Sequence, residues 1–342
     1  MEDFLSVVLN IFTMGLPCCL LALGIFLTYR LLDFADLTAE GSFLLGAAVC
    51  GVMIYNGHNP WLATLVGFLI GFVSGTITGV LNRYLKIPKL LSGIITMTAA
   101  GSIALLIFGL QNGSTSAFNN QISFSIKYGG EQQTIFSLLY PWRFSEKTNS
   151  FVTPEFPYGE LIKIAVMLGV VGVVMFGVYF FFGTQYGMAI RATGMNESMA
   201  RAQGINTNVA TIVCIALANG LIGLAGALYV QSSRSVTVTS AQGFLVVGLA
   251  SIIIGETIFG KRSFKNWLIS VSLGAIFYYI IINIAIRLGL PTQLMSLLYA
   301  VLIVVALLLG AFKENIKKKR KELRNYIQIQ MRKKKKLEEE DK

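Results

Sequence analysis

The chain has 342 residues, of which 54% are apolar and only 13% charged, and its mean hydropathy is +0.67. That balance excludes an ordinary soluble domain and indicates an all-α, polytopic transmembrane helix bundle. The net charge of +11 does not point to nucleic acid, because residues 313–342 hold 13 of the 28 basic residues against six acidic ones. A polybasic stretch directly after a last span reads as a cytoplasmic anchor drawn to anionic lipid.

In chain order, Met1 to Phe4 lacks the basic region of a secretory signal, so the first apolar run, Leu5 to Leu27, is expected to remain as a span. Further runs that can cross at about 20 residues each are Leu44 to Tyr55 (short), Trp61 to Leu81, Leu91 to Leu110, Leu161 to Phe182, Val209 to Val230, Gly243 to Phe259, Trp267 to Ile286 and Leu294 to Phe312. The expectation is therefore about nine spans, within a range of roughly eight to ten, with one short or broken helix near the N-terminus. Cys18, Cys19, Cys50 and Cys214 all fall in apolar runs without metal-ligand spacing and read as small packing residues.

Orientation follows the lysines and arginines. With the C-terminal tail inside, Lys261, Arg262 and Lys265, then Arg191 and Arg201, then Arg83, Lys86 and Lys89, and finally Arg30 all fall on the cytoplasmic face. The acidic N-terminus falls outside, and only Arg234 and Arg287 remain as single charges in short outer loops.

The second span is irregular, because charges run into an apolar stretch too short to cross comfortably. Asp36 or Thr38 is placed to cap a helix that begins within the membrane, with Glu40 in its first turn and Ser42 just beyond. Two readings stand: a broken helix lining a solute path, or Asp33, Asp36 and Glu40 at the cytoplasmic interface paired with Arg30 or a neighbouring loop. In the third span, Gly67, Gly71, Gly75 and Gly79 recur every four residues on one face, where another helix backbone can approach closely. Ser74 and Thr78 stand ready to hydrogen-bond across that contact, which is either internal or between subunits. In the sixth span Gly220, Gly223 and Gly226, three apart, read similarly as a close-packing face, and Asn219 beside them needs a polar partner.

The polar loop from Gln111 to Tyr158 is too long for a turn and carries enough aromatic residues to fold as a small outer cap. It reads either as a docking surface or as an insertion packed on the bundle. His58, in an outer turn, reads as a turn residue. Glu256, close before Lys261, either snorkels to pair with Lys261 or Arg262 at the interface, or serves the permeation path or a partner contact.

The segment from Thr184 to Thr207 is polar, yet lies between two long apolar runs. Asn196 is a good N-cap and Glu197 sits where a helix dipole favours an anion. Ala200 and its neighbours favour helix, and Gly204 can end one in the left-handed conformation. The pattern predicts a helix of about two turns between Gly194 and Gly204, outside the hydrocarbon, with Glu197 and Arg201 paired at i, i+4 or facing a partner.

The string RATGMNESMARAQGIN, Arg191 to Asn206, resembles the cytoplasmic coupling segment of ABC-importer permeases of the branched-chain amino acid permease-like family. DLTAEGS, Asp36 to Ser42, and GLASIIIGE, Gly248 to Glu256, are similar to two further signatures of that family, and the resemblance runs from about Leu16 to Phe312. It implies a permease domain over 1–312, with an extracytoplasmic loop at 111–158, a coupling segment at 184–207 and a basic cytoplasmic tail at 313–342. It also implies a multi-pass protein of a bacterial plasma membrane that moves a small polar solute inward. Amino acids, with a lean towards aromatic ones, are the implied cargo. The implied partners are a separate ATP-binding subunit, an extracytoplasmic solute-binding protein and a second permease subunit, a homodimer being the simplest case. On this reading Gly194, Asn196, Glu197, Ala200, Arg201 and Gly204 couple to the ATPase. Asp36, Thr38, Glu40, Ser42, Asn219 and Glu256 are the candidates for the translocation path, and Gly67, Gly71, Gly75 and Gly79 for helix packing.

No phosphate-binding loop of the form GxxxxGK[ST], no HExxH, no GxSxG and no Cys/His metal pattern occurs, so neither an enzyme nor a cofactor is expected. The competing reading is a secondary transporter driven by an ion gradient through Asp36, Glu40 and Glu256. A membrane scaffold would leave the capped central segment unexplained.

Overall fold

The computed structural model describes residues 2–109, 121–123, 132–139, 143–145, 150–152, 158–289 and a few positions between 297 and 308. Among them, eight helices are long and apolar enough to cross a membrane. In chain order these are α1 (Glu2–Phe26, continued by a π-helical turn, Leu27–Leu31), α2 (Thr38–Tyr55), α3 (Pro60–Arg83), α4 (Lys89–Gly109), α6 (Tyr158–Gly183), α9 (Thr207–Ser233), α10 (Phe244–Phe259) and α11 (Phe264–Arg287). The short helix α5 (Ile135–Leu138) lies in the loop before α6, and α7 (Gln185–Met195) and α8 (Glu197–Ala202) follow α6. The expected ninth span at 294–312 lies largely outside the described residues, as do the tail and most of the loop 111–158.

Helix ends follow the local chemistry. Asn59 caps α3 by accepting from Trp61 N, with Pro60 pre-set for the first turn, and Asn206 and Ser263 cap α9 and α11 by accepting from Val209 N and Asn266 N. α1 and α2 are the central helices, 89% and 78% buried over their apolar windows, whereas α4 and α6 are 28% and 22% buried and present apolar faces outward.

The glycine stripe of α3 is an internal contact with α9 and α2. A Cβ at Gly67 would meet Ala227 Cβ at 2.8 Å, one at Gly75 would meet Ile215 O at 2.5 Å, and one at Gly71 would strike the Asn219 carbonyl. Gly223 on α9 faces Gly71 in return, so two small-residue stripes let the backbones meet. This settles the choice between an internal and a subunit contact for that face.

At the end of the bundle where α9 finishes, β1 (Gln121–Ser123) pairs antiparallel with β4 (Ser235–Thr237), Ile122 opposite Val236. β2 (Arg143–Ser145) and β3 (Ser150–Val152) form a second small hairpin. Ile122, Ile135 and Phe136 are buried, and Ile135 N donates to Gln231 Oε1 at 3.0 Å, so β1 and α5 pack onto the bundle. Gln231 Nε2 donates to Thr64 Oγ1 at 2.6 Å and to Cys50 Sγ at 3.3 Å, tying α9, α3 and α2 together at that level. All four cysteines are free and buried.

Candidate functional site

The polar segment between α6 and α9 forms two helices rather than one. Thr184 caps α7 by accepting from Gly187 N, and α7 runs through Gly194 to Met195. The helix boundary expected at Gly194 falls at Asn196 instead. A Cβ there would collide with the carbonyl of Leu31 at the end of the π turn, so Gly194 serves close packing of α7 against the end of α1. α8 is shorter than expected, six residues, and begins at its cap Asn196, whose side chain accepts from Met199 N at 3.0 Å. Gly204, at φ +82°, follows the end of α8 as predicted. Ala200 is buried against the bundle, while Met195 and Met199 are 88% and 60% exposed.

Glu197 is the joint between α8 and the spans. Its Oε1 accepts from Arg83 Nη1 at 2.7 Å, from Arg201 Nη2 at 3.0 Å and from Thr207 Oγ1 at 3.3 Å. Arg83 Nη2 also donates to Thr211 Oγ1 at 2.8 Å, so the last turn of α3, the start of α9 and α8 share one cluster of charges. Partial burial pushes the Glu197 carboxyl up, but the Arg83 hydrogen bond and charge, helped by Thr207 and Arg201, outweigh it and hold the group below the usual glutamate range. Glu197 is therefore a carboxylate at neutral pH.

Above this joint lies a buried polar network. Asp36 Oδ1 accepts from Thr38 N at 2.9 Å, so the carboxylate caps the first turn of α2. Asn219 Nδ2 donates to Asp36 Oδ2 at 2.6 Å and to Ile215 O at 3.0 Å, and Asn219 Oδ1 accepts from Ser42 Oγ at 2.7 Å. Ser42 meets Ser74 Oγ at 2.6 Å and Thr38 meets Thr78 Oγ1 at 2.7 Å. Asp36, Thr38, Ser42, Ser74, Thr78 and Asn219 are all buried. α2 accordingly begins at Thr38, ahead of its apolar run and with Glu40 in its first turn as the sequence suggests, and its polar first turns bury their groups against α3 and α9. Neither Asp36 nor Glu40 pairs with Arg30.

The two remaining acidic candidates stand apart from this network. Glu40 Oε1 accepts from Gly243 N at 3.0 Å, placing a carboxylate at the start of α10, where the helix dipole favours it. Glu256 Oε2 accepts from Arg30 Nη2 at 2.6 Å, Oε1 from Trp267 Nε1 at 2.8 Å, and Lys261 Nζ lies farther off at 3.9 Å. Its main cation is thus Arg30 on the π turn, a partner invisible in the local sequence. Arg83 entered the sequence reading only as an orientation charge, and Gln231 did not enter it. Arg83, on the last turn of a span whose other face is apolar, was the available signal. Among the described residues no group of three or more His, Cys, Asp or Glu could hold a metal.

Residues 7–307 match the family described as branched-chain amino acid transport system / permease component. The chain is 30% identical over 314 residues to the tyrosine transport system permease protein of Clostridioides difficile (strain R20291), covering 92% of this chain and 95% of that one. It is 23% identical over 292 residues to an uncharacterized protein of Rickettsia prowazekii (strain Madrid E), covering 84% of this chain and 91% of the relative. PsaBC from Streptococcus pneumoniae, solved in complex with Fab, overlaps at a TM-score of 0.36 with 13% identity, over 80% of this chain and 90% of that chain, a likeness too low to add to the fold described above. The bundle of apolar helices and the match across nearly its whole length lead to one conclusion: this is a multi-pass membrane protein, and it belongs to the permease-component family of branched-chain amino acid transport systems.

Proposed function

We propose that this permease moves an amino acid inward, with the aromatic class favoured by its similarity to a tyrosine transport permease. A separate ATPase docks on α8 from the cytoplasm and supplies the energy. An extracytoplasmic binding protein delivers the solute, and a second copy of the chain completes the transporter. The C-terminus is cytoplasmic and the N-terminus outside, as the arrangement of basic loops favours.

The observation that carries this reading is the Glu197 joint. A six-residue helix with Met199 exposed is fastened through Glu197 to Arg83 of α3 and to Thr207 of α9, and Arg83 in turn bonds Thr211. Those same two spans hold the buried Asn219 network and the glycine stripes. Movement imposed on α8 therefore reaches the middle of the bundle through one ion-pair cluster and two rigid helices. A coupled transporter needs two bundle states whose balance depends on the ATPase, and such a linkage gives the ATPase a lever on that balance.

The Asp36, Thr38, Ser42 and Asn219 cluster is the element that has to rearrange between those states, since its members are bonded to one another rather than to an open path. The test is uptake of tyrosine and leucine into proteoliposomes holding the permease with its ATPase and binding protein. ATP-dependent accumulation that ignores collapse of the ion gradients supports the reading. Accumulation that needs the gradient and no ATP refutes it in favour of a secondary transporter.

A further inference from the structure

A cleft of about 460 Å³ lies beside the joint that holds α8, within the range of about 300–1,000 Å³ usual for small-molecule sites. Its lining carries four cations and no carboxylate: Arg83 on the last turn of α3, Lys86 in the turn between α3 and α4, Lys89 at the start of α4, and Arg201 of α8. Asn82 and Asn208 add amide groups to the same wall.

The charges on that wall are largely unanswered. Glu197 bonds both Arg83 and Arg201, so four cations less one carboxylate leaves three positive charges. Lys89 Nζ donates to the Asp33 backbone carbonyl at 3.0 Å and lies 5.8 Å from the centre of the Phe34 ring, which leaves two of its three donors over. The Lys86 side chain has neither an ion pair nor a hydrogen bond among the described residues. Both Nη atoms of Arg83 are used, but its Nε is buried without a partner among the described residues. Like charges gathered in this way repel one another, a cost that a bound anion removes.

The backbone supplies a second, independent mark. Lys86 has φ +56°, in the left-handed region that favours glycine or asparagine. Asn82 Nδ2 donates to the Ile87 carbonyl at 2.8 Å and Ile87 N to the Leu81 carbonyl at 3.2 Å, which hold the turn in that form. A lysine is thus kept, at the cost of strain, where its ammonium lines the cleft.

We propose that this cleft seats the phosphate of an anionic phospholipid, with Lys86 and Lys89 as its main donors. The membrane is the source because Tyr84, Leu85, Leu90 and Leu91, around the same turn, are exposed and apolar, as are Ile77 and Val80 one and two turns earlier on α3. A headgroup in the cleft keeps its acyl chains on that face, the arrangement by which basic pockets between spans take anionic lipid. The inference depends neither on the direction of transport nor on what drives it.

The test places the full-length permease in nanodiscs of phosphatidylcholine alone, of phosphatidylcholine with phosphatidylglycerol, and of phosphatidylcholine with inorganic phosphate in the buffer. Hydrogen exchange is read over residues 82–91, and lipid retained on the protein by native mass spectrometry. Phosphatidylglycerol should slow exchange in the turn and remain bound. Lys86→Asn, which suits the left-handed backbone, should bind it about fivefold more weakly, the factor equivalent to about 1 kcal/mol for one lysine at an anionic surface. Lys86→Arg should bind as the wild type does. Lys265→Asn removes an exposed charge in the first turn of α11, outside the cleft, and should change nothing. Equal exchange in the two lipids overturns the proposal and leaves the cations to acidic side chains of a partner protein. Slowing by inorganic phosphate without any by phosphatidylglycerol overturns the lipid source. Equal losses in Lys86→Asn and Lys265→Asn also overturn it, since general attraction to a charged bilayer would then account for the binding.

Discussion

Replacing Asn219 with alanine tests whether the buried network holds α2, α3 and α9 together. The change removes the Nδ2 donor to Asp36 Oδ2 at 2.6 Å and the Oδ1 acceptor for Ser42 at 2.7 Å. Ser42 keeps Ser74, and Asp36 Oδ1 keeps Thr38 N, so one carboxylate oxygen is left buried and unpaired while one interhelical bond is simply lost. An unsatisfied buried acceptor costs about 1–3 kcal/mol, and a lost interhelical hydrogen bond in a membrane bundle about 0.6 kcal/mol. The expected destabilisation is therefore about 2–3 kcal/mol. Asp36→Asn puts an amide where the oxygen accepting from Asn219 stood and should cost a similar amount. The double variant should cost less than the sum by at least about 1 kcal/mol, because both changes break the same bond. The chain carries its own reporter, since all four of its cysteines are buried and react with a maleimide dye only on unfolding. Additive losses, or a cost for Asn219→Ala below about 0.5 kcal/mol, would refute the network as a structural joint.

Three further outcomes follow from particular contacts. Glu197 has a depressed carboxyl, so its contribution is fully present above the ordinary glutamate range and is lost as pH falls through the lower folded value. Its side chain is 39% exposed, so the effect on stability is small, about 0.2–1 kcal/mol, but hydrogen exchange in α8 should stay constant from neutral to mildly acidic pH and rise only as pH falls below the ordinary glutamate range. Glu197→Gln should show the faster exchange already at neutral pH. Gly194→Ala should lower yield and midpoint by driving α7 off the Leu31 carbonyl, whereas Gly101→Ala, with nothing within 4 Å, should be neutral; equal effects would refute the packing role. Gln231→Leu leaves Ile135 N without its acceptor and Thr64 without its donor, and should loosen α5 by about 1–3 kcal/mol, read as faster exchange at Ile135 and Phe136.

Much of the architecture was legible because single residues dictated it. The four-residue glycine period of α3 fixed a close helix contact, and Asn196 and Gly204 fixed the two ends of α8. What stayed hidden depends on residues far apart in the chain. α7 has little apolar periodicity, and Gly194 reads as a breaker unless the Leu31 carbonyl beside it is known. A helix start near Asp36 or Thr38 was legible from its capping residues although the apolar run begins only at Leu44, but the partners Asn219, Ser74 and Thr78 arrive from other helices and were not. For Glu256 the local sequence offered only the near cations Lys261 and Arg262 as ion-pair partners, while the shorter contact comes from Arg30, more than two hundred positions away. Hydropathy also started the fifth expected span at Leu161, which cut Glu160 away from the Lys163 it pairs with.

The most direct test of the central claim is affinity purification of the chain from native membranes in mild detergent, comparing wild type with Met199→Asp. Met199 lies on the exposed side of α8, so the substitution should leave the dye-reported unfolding midpoint unchanged while burying a charge in any docked partner. The account predicts that an ATPase subunit accompanies the wild-type chain and is lost from Met199→Asp. A chain that purifies alone from both, with uptake that tracks the ion gradient, would contradict it.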